Sequence, residues 1–349
     1  MSDLNDQAQA RCKVILEDWH PDVEAAIWSD PSPDALRTGI DALAELLTSL
    51  VDRPNDVTLV LPVDVPKAVM RRDPAVHHAA ERGPGTVGGR TMLRRDGGVE
   101  VIVDANSLIN SDGSGFKPTA AGLPSVRPDG VQMLRRTVVH EAQHANMELQ
   151  GSGLGAYRYQ STWQGAPNLQ FAVARKMCDE HRAQWNAVQV IGAAAPTAGD
   201  VLDVLCPMGQ ELAAAVGRFE QSRREPIDIK RLKDDVYAAC TPLWTWVAFW
   251  AAEYREGSEI SEIGEVPEEI ARLKVWQRYV GPTWQTMARA LSQLPVTLAA
   301  TPDALHQAAR RVAVAVAASL EYVGFRHQDS ANLNELFHVG RQDFPSARE

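Results

Sequence analysis

The sequence predicts an α+β protein, predominantly helical, with a small antiparallel β-sheet in its first third and a helical C-terminal part. Three observations support this. Apolar residues recur at three and four over long stretches on both sides of residue 100. Two β-branched runs flank a Gly-rich turn between residues 86 and 104. From residue 200 onward the pattern is almost continuously helical.

The first 50 residues read as helices. Ser32-Pro33-Asp34 has the chemistry of a helix start, with Ser as cap, Pro in the first turn and Asp near the positive end of the dipole. Leu36, Ile40, Leu43, Leu47 and Leu50 then form an apolar stripe. Val57–Val65 reads as a strand, and Pro62, lacking an N–H, favours an edge position. Pro66–Arg82 has a helical pattern. Thr86–Leu93 and Val99–Asp104 read as strands joined by a hairpin turn at Arg94-Arg95-Asp96-Gly97-Gly98. Gly and Pro make 110–130 a loop. Helices are predicted over Val131–Gln150, ended by Gly151, and over Asn168–Ile191. The longest uncharged run, Val236–Ala252, is short for a membrane span and carries Pro242 and three Trp. It reads as a buried aromatic helix, with Trp244, Trp246, Phe249 and Trp250 in the core. Glu256–Glu269, with six Glu in fourteen residues, reads as a solvated linker.

Composition limits the function. The 349 residues carry a net charge of −10, so long-range attraction to nucleic acid or an anionic membrane is not expected. Residues 1 to 50 hold ten acidic and three basic residues, while 131–200 is nearly neutral. Four cysteines (Cys12, Cys178, Cys206, Cys240) form no CxxC pair, and the start of the chain has no signal-peptide pattern. A cytoplasmic location is expected. Residues 1–200 are read as a metal-binding region, and 201–349 as a helical region completing the cleft of the same unit.

The chemistry is carried by Thr137-Val-Val-His140-Glu141-Ala-Gln-His144, which contains His-Glu-x-x-His. Residues four apart share one helix face, so two imidazoles can reach one Zn²⁺ at about 2.0–2.1 Å. The intervening Glu then stands beside the open coordination position, where it can take a proton from water. Val131, Leu134, Val138, Ala142, Ala145 and Leu149 make an apolar stripe, with Thr137, His140, Glu141, His144 and Glu148 on roughly the opposite side.

This segment resembles the active-site helix of zincin metallopeptidases, in which a β-sheet precedes a His-Glu-x-x-His helix and a later helix supplies a third ligand. The likeness spans Val131 to about Gln184. The metzincin extension is missing, since Ala-Asn-Met-Glu-Leu-Gln follows His144. In gluzincins the third ligand is a Glu. Glu148 would stretch the ligand set over about 12 Å of one helix, too far for one ion. On a helical wheel Glu180 falls inside the apolar sector of Leu169, Val173, Met177, Ala187, Val188 and Ile191, whereas Asp179 falls outside with Arg175, Arg182 and Asn186. A carboxylate facing a core is costly unless paired or metal-bound, which singles out Glu180. Gln184 stands where gluzincins commonly carry an acidic residue. His181 is read as a hydrogen-bonded buried histidine and Cys178 as a reduced buried thiol, with His181, Glu148 and Cys178 the alternatives for the third ligand.

The resemblance therefore implies Zn²⁺ held by His140, His144 and Glu180, Glu141 as general base, and a peptide or protein substrate. Candidates for an oxyanion donor are Tyr157, Tyr159, Tyr254, Tyr322, His327 and His338. The competing readings are a zincin-like binding or sensing module without turnover, and a helical scaffold in which the motif arose by chance.

Overall fold

In the computed structural model, residues 10–28, 35–74, 88–109, 127, 129–157, 165–194, 196–255, 265–328 and 336–339 are described. They form an α+β structure, mostly helical, with a small four-stranded sheet. They fall into two compact units, one up to Gly151 and one from Ser152 onward. Residue 200, the boundary drawn on the sequence, lies inside a helix.

The first unit runs β1 (Lys13–Glu17), α1 (Pro21–Trp28), α2 (Ala35–Leu50), β2 (Val57–Pro62), α3 (Val65–Arg72), β3 (Gly89–Leu93), β4 (Val99–Val103) and α4 (Gly130–Leu149). The strand order is β1-β2-β4-β3. β1 and β4 both run parallel to β2, and only β3 is antiparallel, to β4. The sheet is therefore mixed, not antiparallel. The parallel β2–β4 pair alone makes it mixed, and β1, a five-residue strand in a segment that reads as helical, adds a second parallel pair. The helical segments α1 and α2 carry the chain back so that β1 and β2 run the same way. Pro62 does not mark an edge either, because β2 lies between two strands. Pro62 is the last residue of β2, opposite Glu17, and β4 pairs only as far as Val60. Its missing N–H thus interrupts no bond to β4.

The hairpin turn forms as predicted. Gly97 adopts φ +86°, the Arg94 N–H donates to the Gly98 carbonyl at 2.7 Å, and the Asp96 carboxylate accepts from the Gly98 N–H at 2.9 Å. Leu36, Ile40, Leu43 and Leu47 of α2 are buried with Leu134, Val138, Ala142 and Ala145 of α4 and the sheet residues Leu59, Val101 and Val103. Val65, Ala68 and Val69 of α3 cover the opposite face at Val60 and Ile102, with Met92 beside them. Successive strand residues face opposite sides, so α3 and α4 read alternate positions of the same strands. Arg72 ties the end of α3 to Glu17 and Glu100, and Arg71 binds Asp18 through both carboxylate oxygens. The predicted cap at Ser32-Pro33-Asp34, the loop 110–126 and the helical pattern over 75–82 lie outside the described residues.

The second unit is helical: α5 (Gly165–Ile191), α6 (Ala198–Gln221), α7 (Pro226–Glu253), α8 (Glu268–Ala271), α9 (Lys274–Tyr279), α10 (Gly281–Ser292) and α11 (Pro302–Val323), followed by the hairpin β5 (Phe325–Gln328) and β6 (Leu336–Val339). The uncharged run Val236–Ala252 is the second half of α7. Trp244 and Trp250 are fully buried, and Trp250 packs against Trp246, Trp276 and Trp284. Of the four aromatics expected in the core, Trp244 and Trp250 are buried there, Trp246 packs against it half-buried, and Phe249 is half-buried. Among the described residues, no helix is long and apolar enough to cross a membrane. The Glu-rich segment falls mostly outside the described residues.

Candidate metal centre

The His-Glu-x-x-His segment lies in the second half of α4. The apolar stripe holds that helix against α2 and the sheet. Asn146, between His144 and the helix end, fixes it further. Its Oδ1 accepts from the Asp52 N–H at 3.0 Å and its Nδ2 donates to the Leu50 carbonyl at 2.8 Å.

His140 and His144 are partly buried. Their Nε2 atoms are 3.1 Å apart, with the rings nearly perpendicular at 73°. Two nitrogens on a tetrahedral zinc at about 2.0–2.1 Å stand about 3.4 Å apart. The observed 3.1 Å is close to that spacing.

Glu141 is buried, at 4% exposure. The helical wheel put it on the open side of α4, but β3 runs against that side. Gly89 permits the approach: a Cβ there would lie 2.8 Å from both Glu141 Cγ and Thr137 Cγ2. Thr91, two residues along the same strand, donates its hydroxyl to Glu141 Oε2 at 2.8 Å, with the Glu141 carbonyl 3.0 Å away. Neither Gly89 nor Thr91 was legible as a site residue. No spacing links them to the motif; the only signal was their shared parity on a strand predicted to precede the helix.

On α5 the structure redistributes the polar residues. Arg182 is fully buried and Asp179 is 6% exposed, although the wheel placed both outside the apolar sector. The wheel assumed one covered face, whereas α5 packs against both α7 and α11. Glu180, placed inside that sector, is only half-buried. The argument from a core-facing carboxylate thus describes Asp179 better than Glu180. Glu180 stands on α5 in the second unit, and His140 and His144 on α4 in the first.

His181 has another role. It is fully buried, with Nδ1 3.0 Å from the Ala248 carbonyl and Nε2 3.2 Å from Arg255 Nη1. Nδ1–H therefore donates to the carbonyl and Nε2 accepts from the guanidinium, which fixes a neutral ring. Burial, and then the Arg255 charge, push its pKa down to about 3. Because the folded value lies below the unfolded one, protons bind the unfolded chain more readily. Stability is fully present above about pH 6.5 and falls as the pH drops towards 3, by about 1.4 kcal/mol per pH unit for this one proton. Urea midpoints between pH 7 and pH 4 measure this, and a His181→Gln variant should lose that part of the slope. An unchanged slope in the variant would contradict a neutral buried His181.

Cys178 is buried in the second unit's core, and desolvation raises its thiol far above the ordinary range, against a thiolate ligand. Gln184 donates to Glu253 at 2.5 Å. Among the oxyanion candidates, Tyr157 is buried in the core, Tyr322 donates to the Gln277 carbonyl at 3.0 Å, and His327 pairs with the Tyr237 hydroxyl at 3.0 Å. Tyr254 stacks beside Trp250. Tyr159 and the His338 side chain lie outside the described residues.

Two imidazoles on one helix face, with the buried Glu141 carboxylate beside the first, are groups of the kind that bind zinc. No protein-family model, curated protein or solved structure matches the chain.

Proposed function

We propose that the protein is a zinc metallopeptidase in which His140, His144 and Glu180 hold the metal and Glu141 is the general base. The observation that carries this reading is the pair of His Nε2 atoms 3.1 Å apart on α4 with the buried Glu141 beside them, and Glu180 is the third ligand that the resemblance implies. When bound, zinc would supply a Lewis acid that polarises a carbonyl and lowers the pKa of water. The rest falls to the chain. Glu141, adjoining His140 on α4, takes the proton of the attacking water and passes it to the leaving amine. Thr91 engages one carboxylate oxygen and leaves the other to face the proton. Among the described residues β3 is an outer strand of its sheet; a peptide substrate is what the resemblance of the His-Glu-x-x-His helix to zincins implies. Four cysteines without a disulfide suit a reducing compartment, and we assign the enzyme to the cytoplasm.

The test is metal content followed by turnover. Protein equilibrated with zinc and dialysed is expected to retain about one ion per chain, and His140→Ala to retain far less. A chelator should abolish cleavage of a diverse peptide library, and added zinc should restore it. The 3.1 Å spacing also fits a hydrogen bond between the two rings without metal. Wild-type protein that retains no zinc would favour that arrangement and end the peptidase reading. Protein that holds zinc but cleaves nothing would favour a binding or sensing module.

A further inference from the structure

We propose that β3 is the seat of the general base, with Thr91 as the residue that positions Glu141; this rests on the peptidase reading above. Glu141 is a long side chain with three rotatable bonds, and its carboxylate acts in proton transfer only when held within hydrogen-bond reach of the water. The structure holds it from one side by two devices on one strand. Gly89 and Thr91 are two residues apart, so they present the same face of β3 to α4, while Met92 packs on the opposite face with the α3 residues. At Gly89 the bare backbone leaves a groove in which the Glu141 side chain lies. Any Cβ would stand 2.8 Å from Glu141 Cγ, closer than side chains tolerate.

At Thr91 the hydroxyl reaches Glu141 Oε2 at 2.8 Å. That hydroxyl has one proton and two acceptors in range, the carboxylate and the Glu141 carbonyl at 3.0 Å. The charged acceptor makes the stronger bond, so the proton goes to the carboxylate. Both residues are registered by pairing to β4, Gly89 opposite Val103 and Thr91 opposite Val101. Val101 and Val103 are fully exposed to neither solvent nor slip: both are 0% accessible and belong to the core that α4 also packs into. The carboxylate is thus referenced to the rigid centre of the unit and not to a loop.

Thr91→Val keeps the shape and removes the hydroxyl, and Thr91→Ser keeps the hydroxyl. In zinc-loaded protein, Thr91→Val is expected to lower kcat by about ten- to a hundredfold with KM within about twofold, and Thr91→Ser to restore kcat to within about threefold. Crystal structures of the three zinc-loaded proteins give a readout independent of turnover. The carboxylate should lie within about 3 Å of the residue 91 hydroxyl in wild type and Thr91→Ser, and move by about 1 Å or more in Thr91→Val. An unmoved carboxylate in Thr91→Val overturns the proposal, as does an undiminished kcat. If the wild type cleaves no peptide, the peptidase reading falls, and the carboxylate position in Thr91→Val still decides whether Thr91 seats Glu141.

Discussion

Glu141→Gln is expected to cut peptide cleavage by about a hundred- to ten-thousandfold while zinc content stays near one ion per chain. The amide is nearly the same size as the carboxylate, so it fits the tight space over Gly89, where a Cβ would already be 2.8 Å from Glu141 Cγ. Its carbonyl oxygen can still accept the Thr91 hydroxyl, which now bonds Oε2 at 2.8 Å. Only the capacity to take a proton is lost. His140 and His144 stay on the same helix face, so metal binding should persist. The measurement is cleavage rate with metal content and thermal midpoint on the same preparation. A variant that retains a tenth or more of wild-type activity would exclude Glu141 as the base. A variant that loses its zinc would show that Glu141 serves the metal site's structure.

Arg182→Ala is expected to destabilise the second unit by about 3–5 kcal/mol. Arg182 is fully buried two residues after Glu180 on α5. Its guanidinium donates to the Ser152 carbonyl at 2.5 Å, the Ser152 hydroxyl at 3.1 Å and the Thr297 carbonyl at 3.0 Å. Truncation strands those acceptors away from water and opens a cavity of side-chain size, and both costs fall on the folded state. Arg182→Lys keeps a charge but cannot span acceptors on two segments with one planar fork, so it should recover only part of the loss. The urea midpoint reads the effect. A change below about 1 kcal/mol in Arg182→Ala would mean that water reaches these acceptors, contrary to the burial of the site.

How far the sequence reached differs from element to element. The Leu36-Ile40-Leu43-Leu47 stripe, the Arg94–Gly98 turn and the α4 helix were legible because their signals are local. A 3.6 period, a Gly at positive φ and a four-residue His spacing need no knowledge of the partner. β1 was not legible. Five residues within a helical stretch become a strand only because β2 stands ready to pair with them, and that pairing spans over forty residues of chain. The same pairing gave the sheet a second parallel pair and placed Pro62 at the end of an interior strand. A periodic pattern records which face of an element is buried, not which neighbour buries it.

The sequence by itself determined that His140 and His144 share one face of a helix with Glu141 between them, since backbone geometry alone enforces that. It also determined that a strand pair precedes this helix. Tertiary structure decided the rest. It buried Asp179 and Arg182 while leaving Glu180 half-exposed, because α5 is covered from two sides and a wheel has only one inside. It turned His181 into the core onto Ala248 and Arg255. It brought Gly89 and Thr91 of β3 against Glu141, fifty residues away in sequence from Thr91. The identity of a chemical group is written in the chain. Which groups stand within hydrogen-bond reach is a property of packing, because short-range forces act between neighbours in space, whatever their separation in sequence.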